Sequence, residues 1–180
     1  MPQHRPRQHF VDRAPDRARL LDPLFDELPA PRHAGAAGLH AEWRRLHSPE
    51  GLPRRADFSM ERIAALGLLG QFFVIEPLDG GRDWRYRLLG SKLIWLFGRD
   101  VTGIPFSEHF FPDEAERCIA LSNRVARSGR PVFLRARFAS GGHPGELETL
   151  SLPVRDPEER ETWLVGATFP EGKAARWMGF

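Results

Sequence analysis

The chain has 180 residues, 41% of them hydrophobic and 11% aromatic, which is enough apolar material for one domain with a real core and too little chain for two large ones. Its 28% charged residues and mean hydropathy of −0.42 argue against an integral membrane protein, and no apolar run nears the roughly 18 residues of a helical span. Net charge is only +2. The basic residues are spread among the acids, and the clearest local excess, Arg5, Arg7, Arg13, Arg17 and Arg19 against Asp12 and Asp16, is too diffuse to point to a nucleic-acid partner.

Met1 to Arg19 lacks the apolar stretch of a secretory signal, so a cytoplasmic location is expected. The single cysteine, Cys118, makes neither an intrachain disulfide nor a multi-cysteine zinc site. Residues 1–35 have no sustained period and read as an Arg- and Pro-rich tail. An apolar knot at Leu20, Leu21, Leu24, Phe25 and Leu28, interrupted by Pro23 and ended by Pro29 and Pro31, is either a turn of helix docked on the domain or a short motif that engages a partner.

The domain is expected over 36–170. Residues 36–47 place Leu39, Trp43 and Leu46 on one helical face. That stripe must bury against its own sheet or against a second copy of the chain, and it is the expected dimer interface. Ser59 is an N-cap candidate for a short second helix. The run 71–77 (QFFVIEP), turn-like residues 78–83 and 84–89 (WRYRLL) form a hairpin signal. Ser91 to Gly98 gives a short helix carrying Leu93, Leu96 and Phe97.

The strongest helix signal starts at Phe111-Pro112, with Asp113, Glu114 and Glu116 at the positive end of the dipole and Arg124, Arg127 and Gly129 at the other. One of its faces is small and apolar, with Ala115, Cys118, Ile119, Ser122, Val125 and Ala126 at helical spacing. Three strands follow: 130–139, with Leu134 in one phase; 146–154, with Glu148, Leu150, Leu152 and Val154 in phase; and a last strand with Trp163, Val165, Ala167 and Phe169 in phase. Residues 171–180 form a second tail.

Four motifs stand in order along this pattern: Trp43 on the first helix; Pro53, Arg55, Asp57 and Phe58; Tyr86-Arg87-Leu88-Leu89-Gly90; and Gly98-Arg99-Asp100-Val101-Thr102-Gly103. Together they make the segment from Trp43 to Phe169 resemble a bacterial family of stand-alone PAS domains. Gly70 departs from the proline such sequences tend to carry before the first strand, and residues 1–35 lie outside the resemblance. The resemblance implies an α+β fold, a five-stranded antiparallel sheet with helices on one face, and a sensory or interaction role in signalling rather than catalysis. It further implies a small-molecule cavity between sheet and helices, and a signalling protein as partner, with a homodimer as a further expectation.

For that cavity the candidate residues are Tyr86, Leu93, Phe97, Phe106, Phe110, Ile119, Leu134, Glu148, Leu150 and Val165; neither a cofactor nor the ligand is identified by the sequence. Glu148 is the position whose role stays open. It lies at an exposed strand end, pairs with an arginine such as Arg87 or Arg99, or anchors a ligand in a pocket, since a lone buried carboxylate is costly. His109, just before the long helix, is the one histidine placed to substitute for a haem ligand, with a surface or capping role as the alternative. An enzyme of similar shape would use Glu148 or His109 as acid or base, and a nucleic-acid-associated regulator would use the N-terminal arginines. The Gly98 to Gly103 turn lacks the Gly-Lys-Ser/Thr ending of a phosphate loop and reads as a structural turn.

Overall fold

The computed structural model describes residues 19–172 apart from 50, 141, 142 and 159, and side chains from 25 onward apart from 139–144. In chain order it comprises β1 (Arg19–Leu28), α1 (Ala34–Leu46), a 3-10 turn (Arg55–Asp57), α2 (Met60–Ala65), β2 (Phe72–Leu78), β3 (Asp83–Leu89), α3 (Ser91–Phe97), α4 (Phe106–His109), α5 (Pro112–Ser128), β4 (Val132–Ser140), β5 (His143–Arg155) and β6 (Thr162–Glu171). The N-terminal arginines Arg5, Arg7, Arg13 and Arg17 and the C-terminal residues 173–180 lie outside the described residues.

The strands form one antiparallel sheet in the order β1-β4-β5-β6-β2-β3. Five of them are those the sequence announces. The sixth, β1, comes from within the expected tail: Arg19 to Leu21 and Asp26 to Leu28 pair with β4, and the register breaks between Leu21 and Asp26. Pro23 sits inside that break, on an edge strand, where a missing N–H costs the ladder least. Leu24, Phe25 and Leu28 therefore belong to a strand and not to a turn of helix.

Local chemistry sets the helix ends. The Nδ1 of His33 accepts from the Gly35 N–H at 3.0 Å to cap α1, and the Ser59 hydroxyl accepts from the Arg62 N–H at 3.3 Å to cap α2. Pro112 opens α5, and Gly129, with φ of 64°, closes it in the left-handed conformation that glycine tolerates. Asn123 on α5 accepts from the Trp84 indole at 3.1 Å and donates to the Gly81 carbonyl at 2.9 Å, tying the β2–β3 hairpin to the helix. The Gly98 to Gly103 turn is structural as expected. Asp100 accepts from the Thr102 N–H at 2.9 Å, and the Gly103 N–H donates to the Tyr86 carbonyl at 2.8 Å.

Helices α3 to α5 lie across one face of the sheet, as expected, and the N-terminal helix α1 with α2 covers the other. On one side, α3, α4 and α5 pack Leu93, Leu96, Phe106, Cys118 and Val125 against Phe73, Ile75, Trp84, Phe138, Leu147 and Leu164. On the other, α1 and α2 pack Ala36, Leu39, Trp43 and Ile63 against Phe72, Val74, Leu150, Leu152, Val154, Val165, Ala167 and Phe169. The stripe read as a dimer interface is thus spent within the chain. Leu39 is fully buried, Trp43 is 6% exposed and partly buried Leu46 packs beside them. The Trp43 indole donates to the Pro153 carbonyl at 2.8 Å, so α1 meets its own sheet through both apolar contact and a directed bond.

Candidate ligand cavity

Between the sheet and helices α3 to α5 lies a cavity of about 130 Å³. Alternation on the strands sends Phe73, Ile75, Leu134, Ala136, Phe138, Leu147, Thr149, Ser151 and Thr168 to this face, while α3, α4 and α5 supply Leu93, Leu96, Phe97, Phe106, His109, Cys118 and Ser122. An aromatic wall holds it open. Tyr86 meets Phe73, Phe97 and Phe106 with ring centroids 5.9, 5.7 and 5.3 Å apart, and His109 meets Phe97 at 4.8 Å and Phe110 at 4.4 Å.

No Asp, Glu, Lys or Arg lines the cavity among the described residues. Burial pushes the Cys118 thiol up to about 12, with Glu114 adding to the effect. It likewise raises the Tyr86 phenol above its ordinary range, with Cys118 contributing. Both groups are neutral at physiological pH. The side chains of Tyr86, Ser122 and Ser151 make no hydrogen bond to any described residue, so the lining offers hydroxyl groups within a largely apolar shell. The volume sets the scale of any occupant: it matches cavities of about 150 Å³ that admit a benzene ring and falls below the roughly 300–1,000 Å³ of drug-sized pockets. A haem or a flavin ring system exceeds it.

Of the ten residues expected here, the structure brings six together: Tyr86, Leu93, Phe97, Phe106, Phe110 and Leu134. The other four lie elsewhere. Ile119 borders an open surface groove with Pro112 and Asn123 on the outer side of α5. Leu150 and Val165 are on the α1 face of the sheet, one residue out of phase with the cavity-facing Leu147, Thr149 and Ser151. Glu148 shares that phase and is fully buried. Its carboxylate accepts from the main-chain N–H groups of Arg32 and His33, each at 2.9 Å, so neither an arginine side chain nor a cavity ligand is its partner. His109 and Glu148, the two acid–base candidates, consequently lie on opposite faces of the sheet and do not share a site.

Phe25 lines the cavity from outside the expected domain, and His109, expected as a haem ligand, an acid–base group or a surface or capping histidine, is part of the cavity wall. No cluster of three His, Cys, Asp or Glu capable of holding a metal ion occurs among the described residues. No helix among them is long and apolar enough to cross a membrane.

The five antiparallel strands β3-β2-β6-β5-β4, with short helices α3 and α4 and the long α5 across the cavity face, agree with the five-stranded sheet and helices on one face that the resemblance implies. A family model described as PAS domain matches residues 31–169. The chain belongs to the PAS domain family. Domains of this family are in general sensory and signalling modules, and the match spans α1 through β6 while leaving β1 outside it. Compared with curated proteins, the chain finds no match.

Proposed function

We propose that this PAS domain is a sensory and regulatory module that binds a small, uncharged, largely apolar molecule about the size of one aromatic ring, and that its occupancy is read by a protein partner in signalling. The observation that carries this reading is the cavity of about 130 Å³ walled by Tyr86, Phe97, Phe106 and His109, with no Asp, Glu, Lys or Arg among its described lining residues. A charged ligand would lose its hydration there with no counter-charge to replace it. A neutral ring with a single hydroxyl or carbonyl would gain apolar contact and a partner among Tyr86, Ser122 and Ser151.

Occupancy changes output only if the ligand binds one conformation better than another. The elements placed to differ are α3 and α4, short helices of seven and four residues whose side chains Leu93, Leu96, Phe97 and Phe106 form one wall of the cavity. Native mass spectrometry of the intact chain tests the reading. A retained small molecule that is lost when Cys118 is replaced by tryptophan supports it, whereas a chain that carries nothing and binds no small neutral aromatic when challenged with a panel of them contradicts it.

A further inference from the structure

Strand β1 lies outside the PAS match. Like β3 at the opposite edge it pairs on one side only, here with β4, and its ladder is interrupted between Leu21 and Asp26. Three described side chains fasten it. Phe25 inserts into the cavity wall, Asp26 accepts from Arg135 at 3.0 Å and Glu27 pairs with Arg124 at 2.5 Å. Both ion pairs are solvent-accessible, with carboxylates 44% and 58% exposed, and exposed pairs are weak and screened by salt.

Just beyond β1, Pro29 to Pro31 lead to Arg32 and His33, whose N–H groups are held by buried Glu148. This anchor fixes the chain on the far side of the connector. The strand can therefore leave β4 without disturbing α1.

We propose that β1 is a resident placeholder on a docking edge, and that the partner it keeps out is an extended peptide segment carrying an aromatic residue followed directly by two acidic residues. The chain itself displays what the edge accepts: the main-chain groups of β4 from Phe133 to Phe138 take a strand, the cavity wall takes an aromatic side chain and the guanidinium groups of Arg135 and Arg124 take consecutive carboxylates. Strand addition of this kind draws affinity from main-chain hydrogen bonds and specificity from alternate side chains. The inference goes beyond the cavity reading and needs no ligand in the cavity.

A fluorescent synthetic peptide with the sequence of residues 19–31 is the probe, and its anisotropy is measured with the full-length chain. The variant D26R/E27R sets arginine against arginine and releases β1; it is expected to bind the probe about tenfold or more tighter than the unaltered chain, an affinity falling with added salt. The variant R124E/R135E repels the same β1 by its acids; it should reject this probe and bind one in which the two acids are replaced by arginines. Hydrogen exchange reports β1 release through its own amides and intact folding through those of β2 and β6. Failure of a folded, β1-released D26R/E27R chain to bind the probe overturns the proposal. So does continued protection of the β1 amides in both variants, and so does assembly of the released chain into dimers that fill the edge with a second copy's β1.

Discussion

Glu148 on β5 accepts from the main-chain N–H groups of Arg32 and His33, each at 2.9 Å, and is itself fully buried. The His33 ring stacks on Phe169 of the neighbouring β6 at a centroid distance of 4.1 Å. One carboxylate thus satisfies two main-chain donors just ahead of α1 and fixes where that helix begins against the sheet.

Replacing Glu148 with alanine should cost about 2–4 kcal/mol, because it removes a charge-assisted acceptor and strands two N–H groups in a partly buried setting. Glu148→Gln keeps one acceptor and should cost about 1–2 kcal/mol. Chemical unfolding measures both. Retention of a cavity ligand should be unchanged in Glu148→Gln, since the sheet separates this carboxylate from the cavity.

Cys118 lines the cavity from α5 together with Ser122. Cys118→Trp places a large ring into space of about 130 Å³ and should abolish binding of small neutral aromatics. The fold should survive at a cost of about 1–3 kcal/mol, the range for inserting extra volume into a packed core. Calorimetric titration and thermal unfolding of the same preparation separate lost binding from lost folding.

Element order and the cavity-facing aromatics were legible because periodicity and caps point the same way at α5, the β2–β3 hairpin and α3. The choice of sheet face was not. On β5 the more apolar phase, Leu150, Leu152 and Val154, faces α1, whereas Leu147, Thr149 and Ser151 face the cavity. When both faces of a sheet are covered, alternation reveals two phases without revealing which helices lie over each. β1 was hidden for a different reason: Pro23 breaks its period at the register shift, so the residues on either side read as an apolar knot and not as a strand. The main-chain partners of Glu148 were beyond reach because they lie 115 and 116 residues away in sequence.

The buried α1 stripe gives a prediction opposite to that of an exposed dimer seam. Leu39 is fully buried against β5 and β6 residues, so Leu39→Ala should cost about 2–5 kcal/mol by leaving a cavity. Sedimentation velocity should show the same oligomeric state for the folded variant as for the unaltered chain. A dissociated but fully stable variant would place the stripe between copies.

Glu42 on α1 pairs with Arg45 at 2.7 Å and also with Arg62 of α2. The Arg45 hydrogen bond, with Arg62 acting in the same direction, lowers its carboxyl to about 2 from an ordinary 4.5. Because the folded form ionises more readily, the contribution of this group is complete above about pH 4.5 and is lost as pH falls towards 2. Glu42→Gln should reduce stability by about 1 kcal/mol near neutrality, and the difference from the unaltered chain should vanish in strong acid. Urea unfolding across that pH range measures it.

The cavity reading meets its most direct test in methyl-resolved NMR of the intact chain titrated with phenol, a one-ring neutral probe. The two faces of the sheet provide an internal control. Saturable shifts are predicted for the methyl groups of Leu93, Leu134 and Leu147, which line the cavity, with those of Leu150, Leu152 and Val154 on the α1 face little changed. Shifts that fail to saturate, or that are confined to the α1 face or the surface, would contradict a ligand site between the sheet and α3 to α5.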